Sequence, residues 1–164
     1  MANGSIEEAR QFARRHHDGQ KDKLGIAYVH HVEDVARRVA HLGRETEIIA
    51  WLHDVVEDTD VSLDEIEARF GAEVRAGVDA MTKRRSERYL EDYLPRLQAN
   101  QHAVAVKIAD ATHNWGKTHL LQDSDPQQAR TLGEKYSLAL ERLGADRAGL
   151  PEKLIFKDGN WIAV

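Results

Sequence analysis

The chain has 164 residues, of which 41% are hydrophobic and 31% are charged, and its formal net charge is −5. This composition excludes a disordered chain, fits one domain, and disfavours non-specific nucleic-acid binding as the main function. No apolar run reaches the roughly 20 residues that span a bilayer, and Met1 to Ser5 lack the pattern of a secretory signal. We therefore expect a cytoplasmic protein with neither membrane nor nucleic-acid partners. Because cysteine is absent, a metal site would have to use His, Asp or Glu.

Apolar residues recur at intervals of three and four along most of the chain, which predicts helices. The expected helices cover 6–17, 31–42, 45–57, 63–70, 72–81, 87–99, 102–115 and 127–143. Ser5 with Glu8, and Ser62 with Glu65, have the spacing of capping boxes at two of the helix starts. The predicted fold class is all-α, a helical bundle.

The last residues have a different pattern. Asp158 and Gly159 lie between two short apolar runs, which predicts a β-hairpin. A lone hairpin is marginally stable in water, so we expect it to pack on the bundle or on a second subunit. The predicted division is a helical domain over 1–145 and a C-terminal tail over 146–164. Packing of the hairpin on a second subunit would make the protein a homo-oligomer.

The first residues that indicate chemistry are the adjacent histidines His30 and His31. They follow a short extended stretch and open the second predicted helix, which has apolar residues at three- and four-residue spacing. A histidine at the start of a helix faces whatever lies beyond that end. Either histidine could therefore contribute to a site formed with other helices.

The segment from Leu52 to Asp58 is the strongest signal in the chain. It places His53, Asp54, Glu57 and Asp58 among apolar residues within a predicted helix. Residues four apart share a helix face, so His53 is expected near Glu57 and Asp54 near Asp58. A solvated acidic face is the simple alternative, but a helix that is apolar nearly all round is normally buried. Buried acids need partners, and an imidazole with carboxylates favours a divalent transition metal.

A further acid, Asp110, lies in the largely apolar helix predicted over 102–115, with His113 and Asn114 one turn later. A histidine, a His-Asp pair and an aspartate from three separated helices could bind a metal and leave positions open for water and substrate. The basic segment from Lys83 to Arg88 is either a solvated loop or a phosphate-attracting rim, to which Lys21, Lys23 and Lys107 could add.

The ordered set His31, His53, Asp54 and Asp110 resembles the HD superfamily of metal-dependent phosphohydrolases. The resemblance is strongest to its RelA/SpoT-type alarmone hydrolases and to the small stand-alone bacterial proteins related to them, and it spans roughly residues 5–143. The similar segments are Gly19–Lys23, Tyr28–His31, Trp51–Thr59, Met81–Lys83, Val106–Asp110 with Asn114, and Lys135–Tyr136.

The resemblance implies a role for each matching residue. One divalent metal, expected to be manganese, would be held by His31, His53, Asp54 and Asp110, with His31 selected over His30. The catalytic pair that orients and deprotonates the attacking water would be Glu57 and Asp58. The implied substrate contacts are Lys21, Thr82, Lys83, Lys107, Asn114 and Tyr136.

The function implied is removal of the 3′-diphosphate from guanosine 3′,5′-bis(diphosphate) (ppGpp), or from a related alarmone, by a metal-activated water. Two alternatives stay open. One is an HD-domain phosphohydrolase for another phosphorylated nucleotide, because Gln20 stands where relatives often carry an arginine beside Lys21. The other is a catalytically silent sensor that binds a nucleotide. Synthesis of the alarmone is not expected, because 164 residues leave no room for a synthetase domain.

Overall fold

The computed structural model describes residues 4–164, and residues 1–3, on which the expected lack of a secretory signal partly rests, lie outside this range. The helices are α1 (Ile6–His16), α2 (Val29–Val39), α3 (Arg44–Leu52), α4 (Val55–Asp58), α5 (Leu63–Phe70), α6 (Ala72–Met81), α7 (Leu94–Leu97), α8 (Gln101–Lys117) and α9 (Pro126–Arg142). Two strands, β1 (Leu154–Lys157) and β2 (Asn160–Ala163), form an antiparallel hairpin. The predicted all-α bundle with a C-terminal hairpin is confirmed. Within residues 4–164, no helix has both the length and the apolar character needed to cross a membrane.

Side-chain caps define the starts of α1 and α5. The Ser5 hydroxyl accepts the Glu8 N–H at 3.1 Å, and the Glu8 carboxylate accepts the Ser5 N–H in return, so this capping box is confirmed. At α5 the Ser62 hydroxyl accepts the Glu65 N–H at 3.1 Å. Such a cap stabilises a helix by about 1 kcal/mol, because it satisfies an amide that has no partner inside the helix.

The prediction of one continuous helix over 45–57 is wrong. α3 ends at Leu52 and α4 begins at Val55, because the backbone of Asp54 departs from regular helical geometry, with φ −110° and ψ 0°. The Ala50 carbonyl near the end of α3 lies 2.6 Å from Nδ1 of His53, and this side-chain bond competes with the helical ladder. His53 and Asp54 therefore lie between α3 and α4, not within one continuous helix as predicted.

α3 lies at the centre of the bundle and packs on α1, α2, α6 and α8. Its residues Ile48, Ile49, Ala50 and Leu52 are completely buried. Burial of each large aliphatic side chain contributes about 1.5–3 kcal/mol, so this helix is held firmly in place. The residues that follow it directly, His53 and Asp54, are therefore presented at a fixed position inside the bundle.

The predicted hairpin is confirmed and packs on the bundle. Asp158 and Gly159 have φ values of 52° and 77°, as a two-residue type I′ turn requires. Trp161 and Leu154 are buried, and Nε2 of His119 lies 2.8 Å from the Leu154 carbonyl oxygen. The boundary between a domain over 1–145 and a tail over 146–164 stays a prediction.

Two glycines allow a matched test of how the hairpin packs. A Cβ atom on Gly116 of α8 would lie 2.5 Å from the Glu152 carbonyl oxygen and 2.9 Å from Cγ of Leu154. We expect Gly116→Ala to lower the free energy of unfolding by about 1–3 kcal/mol, because backbone leading into β1 would have to move. Urea unfolding followed by circular dichroism measures this change.

Gly133 of α9 is the control, because a Cβ atom there has its nearest neighbour, Nε1 of Trp115, at 3.7 Å. Gly133→Ala should raise the free energy of unfolding by up to about 1 kcal/mol, from the higher helix propensity of alanine. Equal effects of the two substitutions would show that close packing at Gly116 does not hold the hairpin.

Candidate metal centre

Four side chains from separate parts of the bundle meet at one point. His31 is in the first turn of α2, His53 and Asp54 lie between α3 and α4, and Asp110 is in α8; one donor atom from each lies within 4.8 Å of the others. Nε2 of His31 is 3.0 Å from Oδ1 of Asp110, and Nε2 of His53 is 3.0 Å from Oδ2 of Asp54. The structure brings together all four residues that the sequence suggested as metal ligands.

The two imidazoles have the arrangement of metal-binding groups. Nδ1 of His53 lies 2.6 Å from the Ala50 carbonyl oxygen, which makes Nδ1 a protonated nitrogen and leaves Nε2 as the nitrogen that faces the carboxylates. Nε2 of His31 and Nε2 of His53 are buried, and neither has a hydrogen-bond partner within residues 4–164. Buried nitrogens that face carboxylates without hydrogen bonds are donors for a cation. The cluster is therefore suited to a divalent metal.

The surroundings of both carboxyl groups of the cluster favour the ionised form. Burial alone would raise the pKa of Asp54 and of Asp110, but neighbouring groups outweigh it. His53 holds the pKa of Asp54 well below its ordinary value, and the charge of Lys107 together with the two imidazoles does the same for Asp110. Two anionic oxygen donors thus face the two imidazole nitrogens.

Neighbouring side chains fix the orientation of both aspartates. Oδ2 of Asp110 accepts a hydrogen bond from Lys107 at 2.8 Å, and Oδ1 accepts one from Asn114 at 3.1 Å. The Tyr28 hydroxyl donates to Oδ2 of Asp54. Such partners hold ligands in the geometry that a metal needs. Lys107 and Asn114, expected as substrate contacts, thus also bind Asp110, while the bond from Tyr28 was not foreseen.

The adjacent histidines of α2 have different neighbours. The ring of His30 packs on Phe156 of β1, with 4.9 Å between ring centroids. His31 faces the cluster, with its Nε2 atom against Asp110. The structure therefore separates the two histidines whose roles the sequence alone left open.

Behind His31 lies another buried histidine, His113. The two ring centroids are 4.6 Å apart, and Nδ1 of His113 lies 2.7 Å from Oδ2 of Asp34, which also accepts from Arg38 at 2.8 Å. On its other side, His113 packs against Trp161 of β2 at 5.1 Å. The hairpin is thereby connected to the cluster through one imidazole.

Glu57 and Asp58 in α4 lie beside the cluster. The Lys83 N–H donates to Oε1 of Glu57 at 2.8 Å, and the Gln20 amide donates to Oδ2 of Asp58 at 3.2 Å. Both side chains reach solvent in part, yet the protein atoms around them and the negative charge of Asp54 raise the pKa of each carboxyl group. Raised values bring these acids closer to the range in which a carboxylate accepts a proton at neutral pH.

Two cavities open beside the cluster and share Tyr28, Asn114 and Tyr136. The larger, of about 320 Å³, is also lined by Gln20, Lys21, Asp22, Lys23, Leu24, Asp58, Lys117, Thr118, Leu121 and Leu132. The smaller, of about 170 Å³, is also lined by Asp54, Glu57, Met81, Lys83, Tyr89, Tyr93, Lys107, Asp110 and Lys135. Of the expected substrate contacts, only Thr82 lines neither cavity, and its hydroxyl donates to the Val78 carbonyl oxygen at 2.7 Å.

The positive charge around the cavities comes mainly from residues outside the basic segment 83–88. From that segment only Lys83 lines either of these two cavities, whereas Arg84 pairs with Asp79 and Arg88 with Asp92. Sequence reasoning assigned no role to the cavity residues Lys117 and Lys135.

A signal for Lys117 was present in the sequence. It follows Asp110 by seven residues, a spacing that places both side chains on one face of α8. Lys135 belongs to the segment Lys135–Tyr136 of the family resemblance. It lies on α9, with its Nζ atom 4.4 Å from the centroid of the Tyr89 ring.

Comparisons with known proteins agree with the resemblance noted from the sequence. A family model described as HD domain matches residues 9–149. The human guanosine-3′,5′-bis(diphosphate) 3′-pyrophosphohydrolase MESH1 is 40% identical over 117 residues, which is 65% of this chain and 65% of that protein. The chain thus spans just under two thirds of the human relative. The Danio rerio protein of the same name is 36% identical over 161 residues, covering 90% of this chain and 88% of that one.

A solved structure also matches. Its title is "A metazoan ortholog of SpoT hydrolyzes ppGpp and plays a role in starvation responses". The TM-score is 0.70 at 26% sequence identity, and the match covers 87% of each chain.

The adjacent histidines give a matched test of the cluster. His31→Ala should weaken Mn²⁺ binding by more than the roughly 10- to 100-fold that loss of an outer partner costs, because a direct donor is removed. His30→Ala should bind Mn²⁺ like the wild type. Isothermal titration calorimetry measures both affinities. Wild-type affinity in His31→Ala, or equal losses in the two variants, would exclude His31 as a specific ligand.

Proposed function

Because the chain belongs to the HD-domain family, we propose that it hydrolyses ppGpp and releases the 3′-diphosphate as pyrophosphate. Three relatives or solved structures bear names or titles with this activity. One observation within the chain carries the proposal: an acid pair, Glu57 and Asp58, borders two lysine-lined cavities that open beside the four-residue cluster. This arrangement combines a site for a cation, a proton acceptor and room for an anionic ligand.

We propose that His31, His53, Asp54 and Asp110 hold one divalent cation, and that the cation is Mn²⁺. Two imidazole nitrogens and two carboxylate oxygens form a mixed donor set, which suits a divalent transition metal better than an all-oxygen set would. When bound, such a cation lowers the pKa of water and neutralises charge on a phosphoryl oxygen.

The acid pair supplies the proton acceptor. Water attacks phosphorus, the bond to the 3′-oxygen of the ribose breaks, and a carboxylate takes the proton that the water loses. The departing 3′-oxygen takes up a proton and becomes the ribose hydroxyl. Oε1 of Glu57 is occupied by the Lys83 N–H, which orients the carboxylate and leaves Oε2 to accept the proton. The raised pKa of Glu57 makes this transfer more favourable than it would be for an ordinary carboxylate.

The lysines around the cavities provide the charge that a polyphosphate requires. Lys21, Lys23 and Lys117 line the larger cavity, whereas Lys83 and Lys135 line the smaller. We assign Lys21, Lys83, Asn114 and Tyr136 to direct contacts with the substrate. Lys107 contributes its charge while bound to Asp110, and Thr82 supports the backbone that carries Lys83.

A second candidate substrate is another phosphorylated nucleotide, and Gln20 favours it. The amide of Gln20 is hydrogen-bonded to His17 and Asp58 rather than free to contact a base. A silent nucleotide sensor is the weaker alternative, because both members of the acid pair are present.

An assay of product release separates these candidates. Wild-type protein with Mn²⁺ should release pyrophosphate from ppGpp and not from ordinary nucleotides, whereas His53→Ala should release none. Coupled detection of pyrophosphate and orthophosphate across a nucleotide panel measures this. Orthophosphate from a different nucleotide alone would favour the second candidate, and no product from any nucleotide would favour the sensor.

Glu57→Ala separates proton transfer from metal binding. We expect kcat to fall by about 10²-fold or more, because the proton acceptor is lost, while one Mn²⁺ still binds. Steady-state kinetics and metal titration measure the two properties. The matched control is Glu7→Ala, an exposed acid in the first turn of α1 that should keep wild-type kcat. A wild-type kcat in Glu57→Ala would refute the assignment of Glu57 as the base.

A further inference from the structure

The hydrogen bonds of Asp58 continue to a buried histidine outside the cluster. His17 follows the last residue of α1 and is 1% exposed. Its Nδ1 atom lies 2.8 Å from Oε1 of Gln20, and Nε2 of Gln20 donates to Oδ2 of Asp58 at 3.2 Å. Three side chains thus form one connected series, which we call the His17–Gln20–Asp58 series.

The chemistry of these groups determines which one donates and which one accepts in each hydrogen bond of the series. An ionised carboxylate only accepts hydrogen bonds, so the NH₂ group of Gln20 must face Asp58. Its carbonyl oxygen then faces His17, and Nδ1 of His17 must carry a proton to donate to it. The imidazole thereby determines which end of the Gln20 amide points to Asp58.

The backbone holds Gln20 in this position. Its N–H donates to the His17 carbonyl at 3.0 Å, and its own carbonyl accepts from the Tyr28 N–H at 2.8 Å. Tyr28 packs on the His17 ring at 5.3 Å and donates through its hydroxyl to Asp54. A single loop, residues 17–28, therefore provides a hydrogen bond both to the cluster and to the acid pair.

The two acids of the pair are held in different ways. Glu57 accepts from the backbone N–H of Lys83, a bond that side-chain substitution does not remove. Asp58 accepts from a side chain, so its orientation depends on residues that can be exchanged. Without the proton on His17, the Gln20 amide could rotate and present its oxygen to the carboxylate.

We propose that His17 and Gln20 are positioning residues for Asp58, an assignment that rests on the proposed function. With Oδ2 bound to Gln20, Oδ1 of Asp58 is the oxygen directed to the attacking water. In this role, His17 and Gln20 act only on the orientation of the carboxylate. Loss of the series should therefore slow turnover without weakening metal or substrate binding.

Gln20 also lines the larger cavity, so a direct contact with the nucleotide is the competing explanation. The two explanations differ in the kinetic constant that they affect. Loss of a substrate contact raises KM, whereas loss of orientation of Asp58 lowers kcat.

Four single-substitution variants test the inference, each assayed for hydrolysis of ppGpp in the presence of Mn²⁺. Gln20→Met removes the bond to Asp58, and His17→Leu removes the donor to Gln20. His17→Asn places an amide N–H near the position of Nδ1 and should restore the series. His41→Asn, at an exposed histidine, is the control.

We expect Gln20→Met and His17→Leu to lower kcat about tenfold, with wild-type affinity for Mn²⁺. KM should stay within about twofold of the wild type. His17→Asn should recover most of the lost kcat, and this recovery separates positioning from general destabilisation. The nitrogen chemical shifts of His17, measured by NMR, should show a proton on Nδ1.

Several results would overturn the inference. These are a neutral His17 protonated only on Nε2, wild-type kcat in both Gln20→Met and His17→Leu, or a raised KM at unchanged kcat. If the wild type hydrolyses no nucleotide, the proposed function fails and the inference fails with it. An active wild type with unaffected variants overturns the positioning role alone.

Discussion

Two carboxylates and two imidazoles, all but Asp54 buried and with donor atoms within 4.8 Å of one another, are the constraint on which the rest of the structure depends. Anionic groups removed from water are costly unless cations and hydrogen-bond donors compensate them. Lys107, Asn114 and Tyr28 provide part of this compensation at Asp110 and Asp54. A divalent cation between the four donors would provide the remainder. The packing of α2 and α8 against α3 holds these groups together.

The break between α3 and α4 follows from the same constraint. Successive residues of a regular helix point about 100° apart, so His53 and Asp54 could not easily reach one cation from a continuous helix. The changed backbone at Asp54 lets both side chains reach the cluster, and α4 then carries Glu57 and Asp58 beside it. The same short segment therefore provides two donors and the acid pair.

Much of the fold could be predicted because its signals are local. Apolar spacing marked the helices, and the Asp158–Gly159 turn marked the hairpin. The helix break was missed because it depends on a backbone departure and on one bond between His53 and the Ala50 carbonyl, and neither changes the apolar pattern.

Asp54 and Asp110, with the adjacent His53, could be proposed from the sequence because burial of acids in apolar helices is visible there, whereas the family resemblance selected His31 over His30. Their supporting residues could not. Gln20 and Asp58 are 38 positions apart, and Tyr28 and Asp54 are 26 apart, so these hydrogen bonds arise only from the way the helices pack. Nothing in the sequence of the loop 17–28 indicates that Gln20 contacts Asp58 or that Tyr28 contacts Asp54.

The most direct test is pulsed electron paramagnetic resonance of the protein with one equivalent of Mn²⁺, after labelling its histidines with ¹⁵N. Nitrogen donors that bind Mn²⁺ produce a measurable coupling to the electron spin. We predict coupling to two imidazole nitrogens, those of His31 and His53. A spectrum with water protons and no histidine nitrogen would contradict a cation held by this cluster.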